Sequence, residues 1–325
     1  MANLISLGIA VLFGFILTLI YWLMIWWLDR FEKEPIWLLI SAFIWGAVFT
    51  PIASIVAELI MEASASVVLT GTALDFTVTS GVAPLVEESF KGMGLLLVLI
   101  FFKREVDDAM DGLVYGATIG LGFALTENML YFVGSALTDV PVLLLFFLRS
   151  IIFGLTHAVF TGTFGLFLGL GKVVRNWGFK ILLGVVGFGL AIGMHAGHNS
   201  LVGFTGALGL VASVTMYAIT LVVILSVAFA ILYYERKWIK KWLAPELANG
   251  HINQEMFDRA CSWAGLTKEL HVLFTRGPGA YARMKNRRHL LAKLALRLQA
   301  FHRTGNPEYL KDVEHIREKI WKMAL

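Results

Sequence analysis

Residues 81–102 read GVAPLVEESFKGMGLLLVLIFF. At ~1.5 Å per residue the stretch is long enough to cross a hydrocarbon core of ~30 Å, yet it holds Glu87, Glu88 and Lys91 within about one helical turn. Ionisable side chains at membrane depth are expensive and mark bundle interiors or cavities, so this stretch bears on both fold and function. Working outward, further apolar runs lie at 4–28, 36–60, 112–134, 142–170, 179–202 and 207–233. A chain of 325 residues that is 58% hydrophobic and 15% charged, with a mean hydropathy of +0.75, is too apolar for a soluble domain with one packed core. The expected fold is therefore all-α, a polytopic transmembrane bundle of about seven spans in residues 1–233, followed by a soluble helical tail in 234–325.

Charge divides along the chain in the same way. Residues 234–325 carry 18 of the 27 Lys and Arg but 9 of the 23 Asp and Glu, so the tail is basic and the membrane region acidic. Connectors with Arg30 and Lys33, with Lys103 and Arg104, and with Lys172, Arg175 and Lys180 alternate with connectors 61–80, 135–141 and 203–206, which hold no Lys or Arg. Positive connectors stay in the cytoplasm, which puts the tail inside and the N-terminus outside a bacterial or archaeal cell membrane. No Lys or Arg precedes run 4–28 and its apolar stretch outruns a signal-peptide core, so it is expected to stay as a span. One cysteine, Cys261, allows no intrachain disulfide. In the tail, Gly277-Pro278-Gly279 reads as a break, and Asn306-Pro307 opens a helix with Val313, Ile316, Ile320 and Met323 on one face. The basic tail reads either as lying against anionic lipid or as a small helical bundle solvated by its charges; it lacks the interleaved aromatics of a single-strand binder, so the bilayer is an expected partner of the chain and nucleic acid is not.

Polar groups concentrate in four runs. Glu87, Glu88 and Lys91 are followed by Glu127 and Asn128, by Arg149 and His157, and by His195, His198 and Asn199. Counted from the outer ends of their runs, Glu87, Glu127 and His195 each lie roughly 10 Å deep, with His157 somewhat deeper. Glu87 and Lys91, Phe123 and Glu127, and His195 and Asn199 are each i,i+4 and share a face. Glu87 and Glu88 project about 100° apart, so one is expected to work and the other to support it. Gly112, Gly116 and Gly120, and likewise Gly189, Gly193 and Gly197, have the spacing that allows close helix packing. His198 reads as a packing residue, and a Glu–Lys pair one turn apart can also be mere charge compensation.

The order Asp29-Arg30-Phe31-Glu32-Lys33-Glu34-Pro35, Glu87-Glu88-x-x-Lys91, Asp111-Gly112-Leu113-Val114-Tyr115-Gly116, Phe123-x-x-x-Glu127-Asn128, His157 and His195-x-x-x-Asn199 resembles the PrsW family. That family is similar to the CAAX-protease and bacteriocin-processing superfamily. The resemblance covers the membrane region and implies an intramembrane protease. It makes Glu87 the base that activates water, Glu88 its partner, and His195 with Asn199 the pair that steadies the oxyanion. Glu127 and His157 complete the catalytic set, with Lys91, Phe123 and Asn128 in support. Glu127 stands where the CAAX-type enzymes have His, which argues against a prenyl-protein substrate. The substrate implied is a single-pass membrane protein such as an anti-sigma factor, cut near the outer face.

Glu87, Glu127, His157 and His195 also form an O,O,N,N set of the kind a catalytic zinc takes. Against this, there is no H-E-x-x-H helix, and a glutamate base with His and Asn donors already accounts for the chemistry. The expectation is a glutamate protease with no required cofactor, Zn²⁺ being the alternative. Two other classes use similar residues. A proton-coupled transporter predicts internal repeats and polar groups through the whole depth, and an idle scaffold predicts eroded motifs; neither pattern is present.

Overall fold

A computed structural model describes residues 2–322 other than 32, 104 and 139. Among the described residues there are helices and no strands. They are α1 (Ala2–Leu28), α2 (Ile36–Ala65), α3 (Ala83–Phe101), α4 (Ala109–Ala136), α5 (Val142–Lys172), α6 (Trp177–Phe204), α7 (Gly206–Ala248), α8 (Gln254–Ala260), α9 (Gly265–Thr304) and α10 (Pro307–Lys322). Six of them, α1, α2, α4, α5, α6 and α7, are long and apolar enough to cross a membrane. The protein is an all-α integral membrane protein. The third expected span, α3, is a helix of 19 residues entered from Gly71–Thr77, and its three ionisable side chains keep it out of that apolar group.

The chain divides into two compact units: residues up to Leu28 with Glu34–Ser226, and Asp29–Lys33 with Val227–Leu325. In the first unit α4 is the buried centre, packed along most of its length. Its start is fixed by a reciprocal cap. Asp108 Oδ1 accepts from Met110 N at 2.7 Å, and Asp111 Oδ2 accepts from Asp107 N at 2.7 Å and Asp108 N at 3.1 Å. Tyr115, fully buried, donates to Glu34 Oε2 at 2.5 Å.

The seam between α4 and α5 explains the first glycine series. A Cβ on Gly112 would lie 2.0 Å from Gly165 O, one on Gly116 2.4 Å from Thr161 O, and one on Gly120 2.2 Å from His157 O. Backbone here meets backbone, so only glycine fits. The second series differs. Gly189 and Gly193 have open space where a Cβ would go, and in α6 the close approach falls instead at Gly187, against Phe167. Spacing permits close packing, but a neighbouring helix must lie on that face to use it.

Wide π-helical turns occur at Trp45–Phe49 within α2 and at Val78–Val82 before α3. Pro51 and Pro84 follow them; each lacks the N–H that the ordinary i to i−4 ladder needs, which leaves the preceding turn to open. These turns place Ser54, Glu58 and Thr79 beside the polar cluster described below.

In the second unit, α9 bends at Gly277, whose φ of 81° suits glycine, with Pro278 next. The expected break is thus a kink. Asn306 Oδ1 accepts from Glu308 N at 3.0 Å at the start of α10, and Val313, Ile316 and Ile320 are buried. Met323 lies outside the described residues. At ~1.5 Å per residue the 43 residues of α7 run about 64 Å, twice a hydrocarbon core, so that one helix passes from span to tail.

Candidate active site

Helices α3 to α6 bring the expected polar residues together. Lys91 Nζ, with no exposed surface, donates to Glu87 Oε2 and Glu88 Oε1, both at 2.9 Å, and lies 3.2 Å from His157 Nδ1. The ammonium also sits 3.7 Å from the centre of the Phe123 ring. One lysine can bridge both carboxylates because Glu87 is four residues and Glu88 three residues before it.

The two carboxylates are not equivalent. Glu88 is 1% exposed and both its oxygens are engaged, Oε1 by Lys91 and His195 Nδ1 at 3.1 Å, Oε2 by Thr161 Oγ1 at 2.9 Å. Glu87 makes its contacts through Oε2, with His195 Nε2 at 3.8 Å, and Oε1 has no bond among the described residues. Glu87 lines a cavity of about 480 Å³ that Glu88, Lys91 and His195 do not line.

Proton positions follow from the partners. An ammonium only donates, so His157 Nδ1 accepts from Lys91, and its Nε2–H points to Glu127 Oε2 at 2.8 Å. A carboxylate only accepts, so His195 carries its proton on Nδ1 toward Glu88 and leaves Nε2 toward Glu87. Glu127 Oε2 also meets an Arg149 guanidinium nitrogen at 2.6 Å, and Arg149 Nε donates to Asn128 Oδ1 at 2.8 Å. Asn199 lines the cavity with its amide donating to Thr79 O at 3.0 Å. His198 lines it too, with Nδ1 held 2.7 Å from Ser213 Oγ and its ring edge-on to Phe153. Ser89 and Thr126 bond to the carbonyls of Leu85 and Ala47, which ties up the hydroxyls as nucleophiles.

Glu87, Glu88, His157 and His195 each offer an atom within 4.8 Å of the others, a group that could hold a metal ion. It has Glu88 where the sequence suggested Glu127, because Arg149 and His157 draw Glu127 to the far side. Two carboxylates and two imidazoles suit zinc. Lys91 occupies three of these donors, and Glu87 Oε1 and His195 Nε2 remain. Thr161 and Glu58 were missed from the sequence. Glu58, near the end of an apolar run, carried the signal of a lone charge; Thr161 carried none.

A family model described as PrsW family intramembrane metalloprotease matches residues 34–229. The chain is 31% identical over 167 residues to Protease PrsW of Oceanobacillus iheyensis, covering 51% of this chain and 70% of the relative. It is 30% identical over 142 residues to Protease PrsW of Bacillus subtilis (43% and 59%), and 35% over 103 residues to that of Clostridioides difficile (32% and 42%). The match thus spans less than two thirds of the latter two relatives. No solved structure matches. With its motifs on four helices meeting at one cluster and most of its membrane unit matched, the chain belongs to the PrsW family.

Proposed function

We propose that the chain is an intramembrane endopeptidase that hydrolyses a membrane-anchored protein with water activated by Glu87. The carrying observation is the division of the acid pair: Glu87 lines the cavity with Oε1 unengaged, while Glu88, Lys91 and His195 hold it from behind. A water at Glu87 gives its proton to the carboxylate as its oxygen attacks the peptide carbonyl carbon. The second N–H of Asn199 and the NH1 of Arg149, which makes no bond among the described residues, are donors for the oxyanion. When the C–N bond breaks, the leaving nitrogen takes the proton that Glu87 held. His195, expected as an oxyanion donor, is 2% exposed and bonded to Glu88, so we assign it to positioning the carboxylates.

A second reading is favoured by the convergence within 4.8 Å and by the description of the family. Glu87, Glu88, His157 and His195 would hold a divalent ion, which supplies acidification of water and polarisation of the carbonyl. We favour the metal-free reading because the Lys91 ammonium already bridges both carboxylates and takes the His157 lone pair. The test is purified protein treated with phenanthroline, with metal analysis alongside. Retained cleavage is expected; stoichiometric zinc, with activity lost on chelation and restored by zinc, would establish the metalloprotease.

The substrate class is a single-pass membrane protein, anti-sigma factors included, cut near the outer face with the tail of the enzyme inside. A cysteine engineered into 61–80 should label in intact cells. Labelling only after permeabilisation would reverse the topology.

A further inference from the structure

We infer that Glu58, with Ser54 one turn before it, forms a subsite that takes a Lys or Arg side chain of the substrate close to the bond that is cut. The inference rests on the protease reading and adds a specificity to it. Both residues lie on α2 at i,i+4, share a face and line the same cavity as Glu87.

The charges of the cavity lead to this assignment. Lys91 is engaged by Glu87 and Glu88, and Arg149 by Glu127 and Asn128. Glu58 is half-buried and makes no hydrogen bond or ion pair among the described residues. It is the lining carboxylate left without a cation among the described residues, in a wall that sets Ile55, Val78 and Leu148 beside the already paired Glu87, Glu127 and Arg149. A charge in such surroundings is costly until a partner arrives.

Ser54 gives an independent sign. It lines the cavity, is 2% exposed, and its Oγ has no hydrogen-bond partner among the described residues. A buried hydroxyl without a partner is costly, and one aligned with a carboxylate is ready to accept from a multi-donor group. Ammonium and guanidinium groups bring several N–H donors and the missing positive charge together. A backbone amide brings the donor without the charge.

The test uses full-length protein in liposomes and single-pass substrates that differ only in Lys, Gln or Glu within one turn of the scissile bond. Binding of the same substrates to Glu87→Gln protein is read by fluorescence anisotropy, so recognition is measured even where nothing is cut. The wild type should favour Lys over Glu about tenfold, the preference falling on KM and Kd. Glu58→Gln should remove the preference, Glu58→Asp keep part of it, and Glu58→Lys invert it. The proposal is overturned if Glu58→Gln keeps the wild-type Lys-to-Glu ratio, or if kcat falls equally on all three substrates, which would place Glu58 in proton transfer. Lys-selective binding without any cleavage by the wild type would defeat the protease reading and leave the subsite standing.

Discussion

Buried charge networks occur in both units, and two of them, one from each unit, differ in what they leave undone. In the tail, Arg288 meets Glu269 with Nε at 2.5 Å and NH2 at 3.2 Å, and its NH1 donates to Arg30 O at 2.5 Å. Both carboxylate oxygens and all three guanidinium nitrogens are used, and the adjoining space of about 20 Å³ has room for about one water. In the membrane unit, Lys91 ties two carboxylates and an imidazole together, but Glu87, which lines about 480 Å³ of cavity, keeps Oε1 without a bond among the described residues. Burial and pairing alone therefore do not mark a site. Residual bonding capacity facing a cavity does, and the planar fork of Arg closes a network that the point charge of Lys leaves open.

The contrast predicts different failures. Glu88→Gln and His195→Ala should each lower cleavage by ~10²–10⁴-fold while the protein still inserts, because they release the group that holds the working carboxylate. Rates within twofold of wild type for both would separate the buried layer from the chemistry. Arg288→Met in the closed network should cost ~3–5 kcal/mol of tail stability by stranding Glu269, read by thermal unfolding, with cleavage per folded molecule unchanged. Equal loss of specific activity would mean that the tail network also serves catalysis. His198→Ala should lower cleavage less than tenfold, since its ring is held by Ser213 and Phe153 rather than by the cluster. A loss equal to that of His195→Ala would move His198 into the mechanism.

Much of this was legible in the sequence because solvation cost is read residue by residue. Long apolar runs announced the helices, and Glu87, Glu127 and His195 announced a meeting point through their shared depth. Rotation of each helix about its axis was not legible. It decides that Glu88 rather than Glu127 joins Glu87 and the two histidines, that Thr161 bonds Glu88, and that Gly187 rather than Gly189 or Gly193 makes the close approach. Glu58 escaped for another reason. A single carboxylate near the end of an apolar run looks like an interfacial residue until Pro51 and the wide turn before it are seen to set that stretch of helix against the cavity.

The central claim is that the open network cuts peptide bonds with Glu87 as the base. Purified wild-type protein and Glu87→Gln, each reconstituted in liposomes with a single-pass substrate, test it by mass spectrometry of the products in ¹⁸O-labelled water. The account predicts discrete cleavage by the wild type, one ¹⁸O in the new carboxylate, and a rate lower by ~10²–10⁴-fold for Glu87→Gln at unchanged insertion. Cleavage by Glu87→Gln at the wild-type rate would contradict it.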